Sequence, residues 1–188
     1  MIIGLSGYAR TGKDTIANHL VENYGFTRMS FADPMREALV RLNPSITIGN
    51  LQGASLAWAV GNMGWEKLKE VSPDVRGLLQ RMGTEVGRNM FGETFWVDYL
   101  MNKALELKTN IVIPDVRFIN EADAIRLWNG EVWRVNRSGV DPVNDHASEI
   151  ELDAYPHFSL IINNDSTVEN LFFELTPIFE GMSVHNVS

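Results

Sequence analysis

Gly7-Tyr8-Ala9-Arg10-Thr11-Gly12-Lys13 is the stretch on which the fold turns. Two glycines bracket four residues, and a lysine follows the second glycine. Small residues in such a turn let backbone N–H groups point inward around an anion. The turn is preceded by an apolar run, Ile2-Ile3-Gly4-Leu5-Ser6, which reads as a buried strand. It is followed by a helical pattern from about Gly12 to Tyr24, with Ile16, Ala17, Leu20 and Val21 on one face. Strand, glycine-rich turn and helix in that order are the context that a phosphate-binding loop requires. The helix adds the positive end of its dipole, and Lys13 extends toward β- and γ-phosphates. In place of the usual Ser or Thr after the lysine stands Asp14, with Thr15 next. A carboxylate there can hold Mg²⁺ directly or through water.

Outward from the loop, strands and helices alternate. Thr27 to Phe31 reads as a short strand, and Pro34 opens a helix. Residues 45–72, interrupted by Gly49, Gly53, Gly61 and Gly64, read as a helical insert containing Trp58 and Trp65. Residues 74–90 and 94–108 read as two helices hinged near Gly92. Ile111-Val112-Ile113-Pro114 is an apolar strand ending at Asp115. A helix from about Asn120 to Trp128, strands Glu131–Val135 and Phe158–Ile162, and a helix Val168–Phe179 complete the chain, with a frayed end. Such alternation implies an α/β sandwich around a mostly parallel sheet. Ligands bind beyond the C-terminal strand ends of such sheets, and Gly7, Asp33 and Asp115 each follow an expected strand.

Several residues at these ends carry chemistry. Asp33 either orients an acceptor or caps the helix opened by Pro34. Asp115 can contribute to a magnesium shell and Arg117 can bind a phosphate; a capped turn with a surface ion pair is the plainer alternative. Arg88 can grip a monophosphate. Trp96 or Phe95 can stack on a base, though taken alone such aromatics more often belong to a core. Arg134 and Arg137 are expected on the same side of their strand, beside a polar loop carrying Asp145-His146-Ala147-Ser148-Glu149. Arginines there suit a lid over a transferring phosphoryl group.

The chain has 188 residues and a net charge of −8, with no cysteine. That composition excludes a disulfide framework and a thiolate metal site, and it suits a reducing cytoplasm. The apolar start lacks a basic n-region, so no signal peptide is expected. No apolar run approaches the ~18 residues of a membrane span. An acidic chain is an unlikely partner for nucleic acid. Yet eleven of its 16 cationic residues are arginines, which favours focused anion-binding forks over a diffuse basic surface.

Taken together, five blocks resemble the phage-type deoxynucleoside monophosphate kinases, a P-loop kinase family: GYARTGKDT, SFADPMREAL, LLQRMGTEVGR with FWVDYL, IPDVRFINEADAI, and VNRSGV with DHASE. They occur in the family's order from residue 2 to about 165. The resemblance implies a single P-loop domain over 1–188, a three-layer α/β sandwich. Its core would take about 1–33 and 110–180, a helical acceptor-binding insert about 34–109, and a lid about 137–150. It implies transfer from ATP, with Mg²⁺, to a deoxynucleoside monophosphate (dNMP). Gly7, Ala9, Arg10, Thr11, Gly12, Lys13, Asp14 and Thr15 would bind ATP. Asp33, Arg36, Glu85, Arg88 and Trp96 would line the acceptor site. Lys13, Asp33, Arg117 and Arg137 would be catalytic, and Asp14 and Asp115 would hold the metal. The expected location is the cytoplasm (the host's, if phage-encoded), and a homodimer is compatible with the reading. A kinase of another small acceptor such as dephospho-coenzyme A, or a non-catalytic nucleotide sensor, stays open at this point.

Overall fold

The computed structural model describes residues 1–142 and 150–184. The chain divides into two compact units, one of residues 1–30 with 104 onward, the other of residues 31–103.

The first unit is built on a five-stranded parallel sheet. Its strands are β1 (Ile2–Ser6), β2 (Thr27–Arg28), β5 (Ile111–Ile113), β6 (Glu131–Asn136) and β7 (Leu160–Asn163), in the order β2-β5-β1-β6-β7. All four pairings are parallel; β1 pairs Ile3 with Val112 on one side and Leu5 with Trp133 on the other. Every residue of β1 is buried, as expected for a central parallel strand covered on both faces. Helix α1 (Lys13–Tyr24) and helix α7 (Val168–Val184) cover one face. There Ile16, Ala17 and Leu20 join Ile3, Leu5, Trp133, Leu171, Leu175 and Phe179 in one core. Helix α6 (Ile119–Leu127) lies on the opposite face, where Ile125 packs over Gly4. This is the three-layer arrangement.

The second unit begins with helix α2 (Asp33–Leu42). Residues 45–55 are not helical, contrary to the reading of 45–72 as a helical insert. They form an antiparallel hairpin of β3 (Ser45–Ile48) and β4 (Leu51–Ser55), with Gly49 in its turn at φ 56°. Helix α3 (Leu56–Val71) follows and breaks at Gly64, where φ is 72° and ψ 164°. Helix α4 (Pro73–Gln80) runs into a π-helical segment, Arg81–Phe91, instead of continuing as one α-helix to residue 90. Its apolar centre gathers Leu39, Ile46, Leu56, Ala59, Leu68 and Val75. The division of the chain falls within helix α5 (Phe95–Leu107), after Lys103. No helix among the described residues is long and apolar enough to cross a membrane.

His19 on α1 meets α7, stacked on Phe172 at 3.7 Å between ring centres, and is edge-on to Tyr24. Burial lowers its pKa below 6.5, against a smaller opposite pull from Glu22. The unfolded chain therefore takes up this proton more readily than the folded one. Stability from the neutral ring is full above about pH 6.5 and is lost as pH falls toward the lower folded pKa. The thermal midpoint should accordingly drop between pH 7.5 and 5.5, and His19→Phe should flatten that slope in the same buffers.

Candidate functional site

The loop after β1 lies within the first unit. Gly7 has φ 139°, and a Cβ there would sit 2.2 Å from the Val135 carbonyl oxygen, so no side chain fits. The turn is closed from inside by the Tyr8 carbonyl, which accepts from Thr11 Oγ1 at 2.9 Å and from Lys13 Nζ at 2.5 Å. Lys13 Nζ also donates to the Gly7 carbonyl at 2.6 Å. The ammonium is thus drawn to the loop it follows. From outside, Asn164 Nδ2 donates to the Thr11 carbonyl at 2.8 Å; Asn164 is buried and follows β7.

Two cavities border Lys13. The larger, of about 400 Å³, is lined by Arg10, Gly12, Asp14, Thr15 and Arg137 on one side and by Asn164, Ser166, Thr167 and Val168 on the other. The N-terminal ends of α1 and α7 both open on it, which favours an anion. The smaller, of about 20 Å³, is lined by Ser6, Gly7, Ala9, Val116, Arg117, Arg134 and Leu152. Arg134 and Arg137 therefore serve different cavities, contrary to the same-side expectation. They are three residues apart, and strand side chains alternate, so an odd offset puts them on opposite faces; Arg137 also lies just past the end of β6. Ser138 N–H, donating to Asp165 Oδ1 at 2.6 Å, fixes the chain there.

The two candidate metal ligands have different neighbours. Asp14 pairs with Arg28, which also donates to Asn18. Asp115 Oδ2 accepts from Ser30 Oγ at 2.6 Å, joining the ends of adjacent strands β5 and β2. Among the described residues no three His, Cys, Asp or Glu side chains gather into a metal cluster. Arg117 is exposed, and the turn carrying it is capped by buried Glu121, whose Oε2 accepts from the Arg117 and Phe118 N–H groups. Residues 143–149, half of the expected lid, and with them the block carrying His146, lie outside the described residues.

In the second unit Asp33 is the first residue of α2, one position after the N-cap residue Ala32. Its Oδ1 is 3.6 Å from Arg36 NH1. Arg36 NH2 is 3.6 Å from Glu66, and the guanidinium lies 6.0 Å from the Trp65 ring. Arg36 Nε is buried with no hydrogen-bond partner among the described residues. Glu85 and Arg88 lie on the π-helical segment. Trp96 packs its indole on Gly87 and donates Nε1–H to the Gly83 carbonyl at 3.0 Å. Its indole edge is engaged within the protein.

Against known families, the deoxynucleotide monophosphate kinase model matches residues 60–175, more than half of the chain. The chain belongs to the deoxynucleotide monophosphate kinase family. It is accordingly a nucleotide kinase. It is 29% identical over 195 residues to a protein of Acanthamoeba polyphaga mimivirus provisionally named deoxynucleotide monophosphate kinase, covering 99% of this chain and 100% of that one. The deoxynucleotide monophosphate kinase of Enterobacteria phage T4 is 24% identical over 234 residues, covering 93% and 96%. The solved dephospho-CoA kinase of Campylobacter jejuni shares the fold, with a TM-score of 0.55 at 14% identity over 99% of this chain and 98% of that one.

Sequence reading of this family member passed over Asn164 and Asp153. Neither sits in a motif; Asn164 is tied to Thr11 across 153 positions, and Asp153 to Tyr8 across 145 and to Arg134 across 19. Arg134 did offer a signal, a charge between Trp133 and Val135 in an apolar strand, which demands a carboxylate.

Gly87→Ala tests the role of Trp96 in holding the π-helical segment. Alanine in a helix ordinarily gains roughly 0.5–1 kcal/mol over glycine. Here a Cβ would meet Trp96 Nε1 at 1.9 Å, and overpacking costs about 1–3 kcal/mol. The clash should win, so the urea midpoint should fall rather than rise.

Proposed function

We propose that the protein transfers the γ-phosphoryl group of ATP to a deoxynucleoside 5′-monophosphate, giving ADP and the deoxynucleoside diphosphate. The observation that carries the reading is the Lys13 ammonium, held on the Gly7 and Tyr8 carbonyls where cavities lined by Arg137 and Arg117 both reach it. Gly7 to Thr15 would bind the ATP phosphates. The 400 Å³ cavity between Arg10, Arg137 and the Asn164–Val168 turn has the size and polarity for the rest of the donor.

Phosphoryl transfer requires positioning and charge neutralisation more than covalent help. An acceptor phosphate oxygen attacks the γ-phosphorus, and the bond to the β–γ bridging oxygen breaks, leaving ADP. That acceptor is already anionic near pH 7, so no general base is needed. Lys13, Arg117 and Arg137 would spread the developing charge, with Arg88 on the acceptor's phosphate. Asp33 and Glu85 would orient the acceptor. The buried Nε of Arg36, without a hydrogen-bond partner among the described residues, is a donor that an acceptor oxygen would satisfy, removing the cost of leaving it unbonded. Trp96 would shape this pocket.

Mg²⁺ fits the donors present. Asp115 with Ser30, and Asp14, supply hard oxygens, and this ion is ordinarily held by one or two carboxylates together with substrate phosphates. When bound, it would offset the negative charge of the donor's phosphates.

Lys13→Ala and Arg137→Ala should each lower turnover ~10²–10³-fold, the cost of losing one preorganised donor. ADP release would be followed with ATP and each of the four dNMPs, AMP and dephospho-coenzyme A. Unchanged turnover in both variants, or transfer to dephospho-coenzyme A alone, would refute the assignment.

A further inference from the structure

Tyr8 carries an arrangement that the loop motif does not call for. Its hydroxyl donates to Asp153 Oδ2 at 2.7 Å, while Asp153 Oδ1 accepts from Arg134 NH2, also at 2.7 Å. The Arg134 guanidinium lies 4.8 Å from the Tyr8 ring centre and 6.0 Å from that of Phe158. Arg134 is 8% exposed and borders the smaller cavity, so most of its surface is covered by the protein. Asp153 itself belongs to a turn pinned on both sides of it. Glu151 Oε1 accepts from the Ile119 N–H at 2.9 Å, and Tyr155 donates to Asp123 Oδ1 at 2.7 Å. Leu152 between them is buried. The turn is thereby fastened to α6 and presents its carboxylate at a set place.

Tyr8 is also the residue whose carbonyl accepts from Lys13 Nζ and Thr11 Oγ1. Its side chain is anchored to Asp153 and Arg134, and its backbone orients the lysine. We propose that Asp153 and Arg134 are positioning residues that act through Tyr8 to set the Lys13 ammonium against the donor's terminal phosphates. The inference rests on the reading of residues 7–15 as the ATP site. Its local support is chemical. The Asp153 carboxylate accepts the phenol proton and raises the Tyr8 pKa above 10, with desolvation adding to the effect. The hydroxyl therefore remains a donor throughout the working pH range. Net formation of one such bond is small in stability terms, but a displaced ammonium weakens every contact it makes with the phosphates.

Three single variants and one double variant of the full chain test this, with ATP affinity measured by calorimetry and kcat by ADP release. Tyr8→Phe deletes only the hydroxyl and leaves the Arg134–Asp153 pair, so its thermal midpoint should stay near wild type. Its ATP affinity and kcat should each fall roughly three- to tenfold. Asp153→Asn should fall further, because Arg134 also loses its counter-charge. In a Lys13→Ala background Tyr8→Phe should weaken ATP binding no further, since the two act as one unit. If Lys13→Ala leaves ATP affinity unchanged, the ATP-site reading fails and this inference with it. If Lys13→Ala weakens binding but Tyr8→Phe leaves both affinity and turnover at wild type, or lowers affinity by the same factor in both backgrounds, the positioning role alone is overturned. Should Asp153→Asn not fold, Tyr8→Phe decides.

Discussion

The bonds from Lys13 Nζ to the Gly7 and Tyr8 carbonyls depend on a turn that only one sheet register allows. Pairing of Ser6 with Arg134 brings the end of β1 level with the Val135 carbonyl. The chain leaves β1 hard against that oxygen, at a point where Gly7 has no Cβ to obstruct it. A slip of one residue would turn every β1 side chain to the other face, removing Ile3 and Leu5 from the core beneath α1 and α7. The register that places Ile3 and Leu5 in the core and the geometry that orients the lysine are therefore one constraint. The loop needs no separate energetic support, because the core supplies its register.

Charge is arranged around that loop in two ways. Burying a guanidinium without a partner costs several kcal/mol, and Arg134 avoids this through Asp153 and two aromatic faces. Arg28 is more exposed and pairs with Asp14, where screening leaves such a contact worth about 0–1 kcal/mol. Exchange of that weak partner for a stronger cation costs little, which suits a carboxylate proposed to hold magnesium. Arg10 and Arg137 face the larger cavity together with two helix N-termini. In a chain of net charge −8, such local concentration is what can retain a triphosphate.

The sheet was legible because buried parallel strands are short, continuous apolar runs; Ile2–Ser6 and Ile111–Ile113 could hardly be read otherwise. The loop was legible because its chemistry demands glycine at fixed spacing. The hairpin at 45–55 was not, since its alternation is broken by Gly49 and Gly53 and by a register shift between Ile46 and Ile48. The π-helical segment escaped because apolar spacing over eleven residues does not separate i→i+4 from i→i+5 bonding. Asp153 escaped for a deeper reason. Its tie to Tyr8 spans 145 positions, and no local pattern encodes a contact that only the folded topology creates.

The π-helical segment shows how a locally unfavourable choice can be stabilised from outside. Such a helix bonds poorly by itself and is rarely longer than one turn, yet here it extends from Arg81 to Phe91. The segment leaves the Gly83 carbonyl within reach of a donor outside the helix, and Trp96 Nε1 supplies it at 3.0 Å. Gly87 admits the indole because it has no Cβ, which would otherwise overlap Trp96 Nε1. The two glycines answer different neighbours: a Cβ on Gly83 would meet Met35 Sδ at 2.8 Å, and one on Gly87 would meet the Trp96 indole. A wider helix turns each later residue to a different direction than an α-helix would, and Arg88 follows the widening. Trp96 is thus engaged with the segment that carries Arg88.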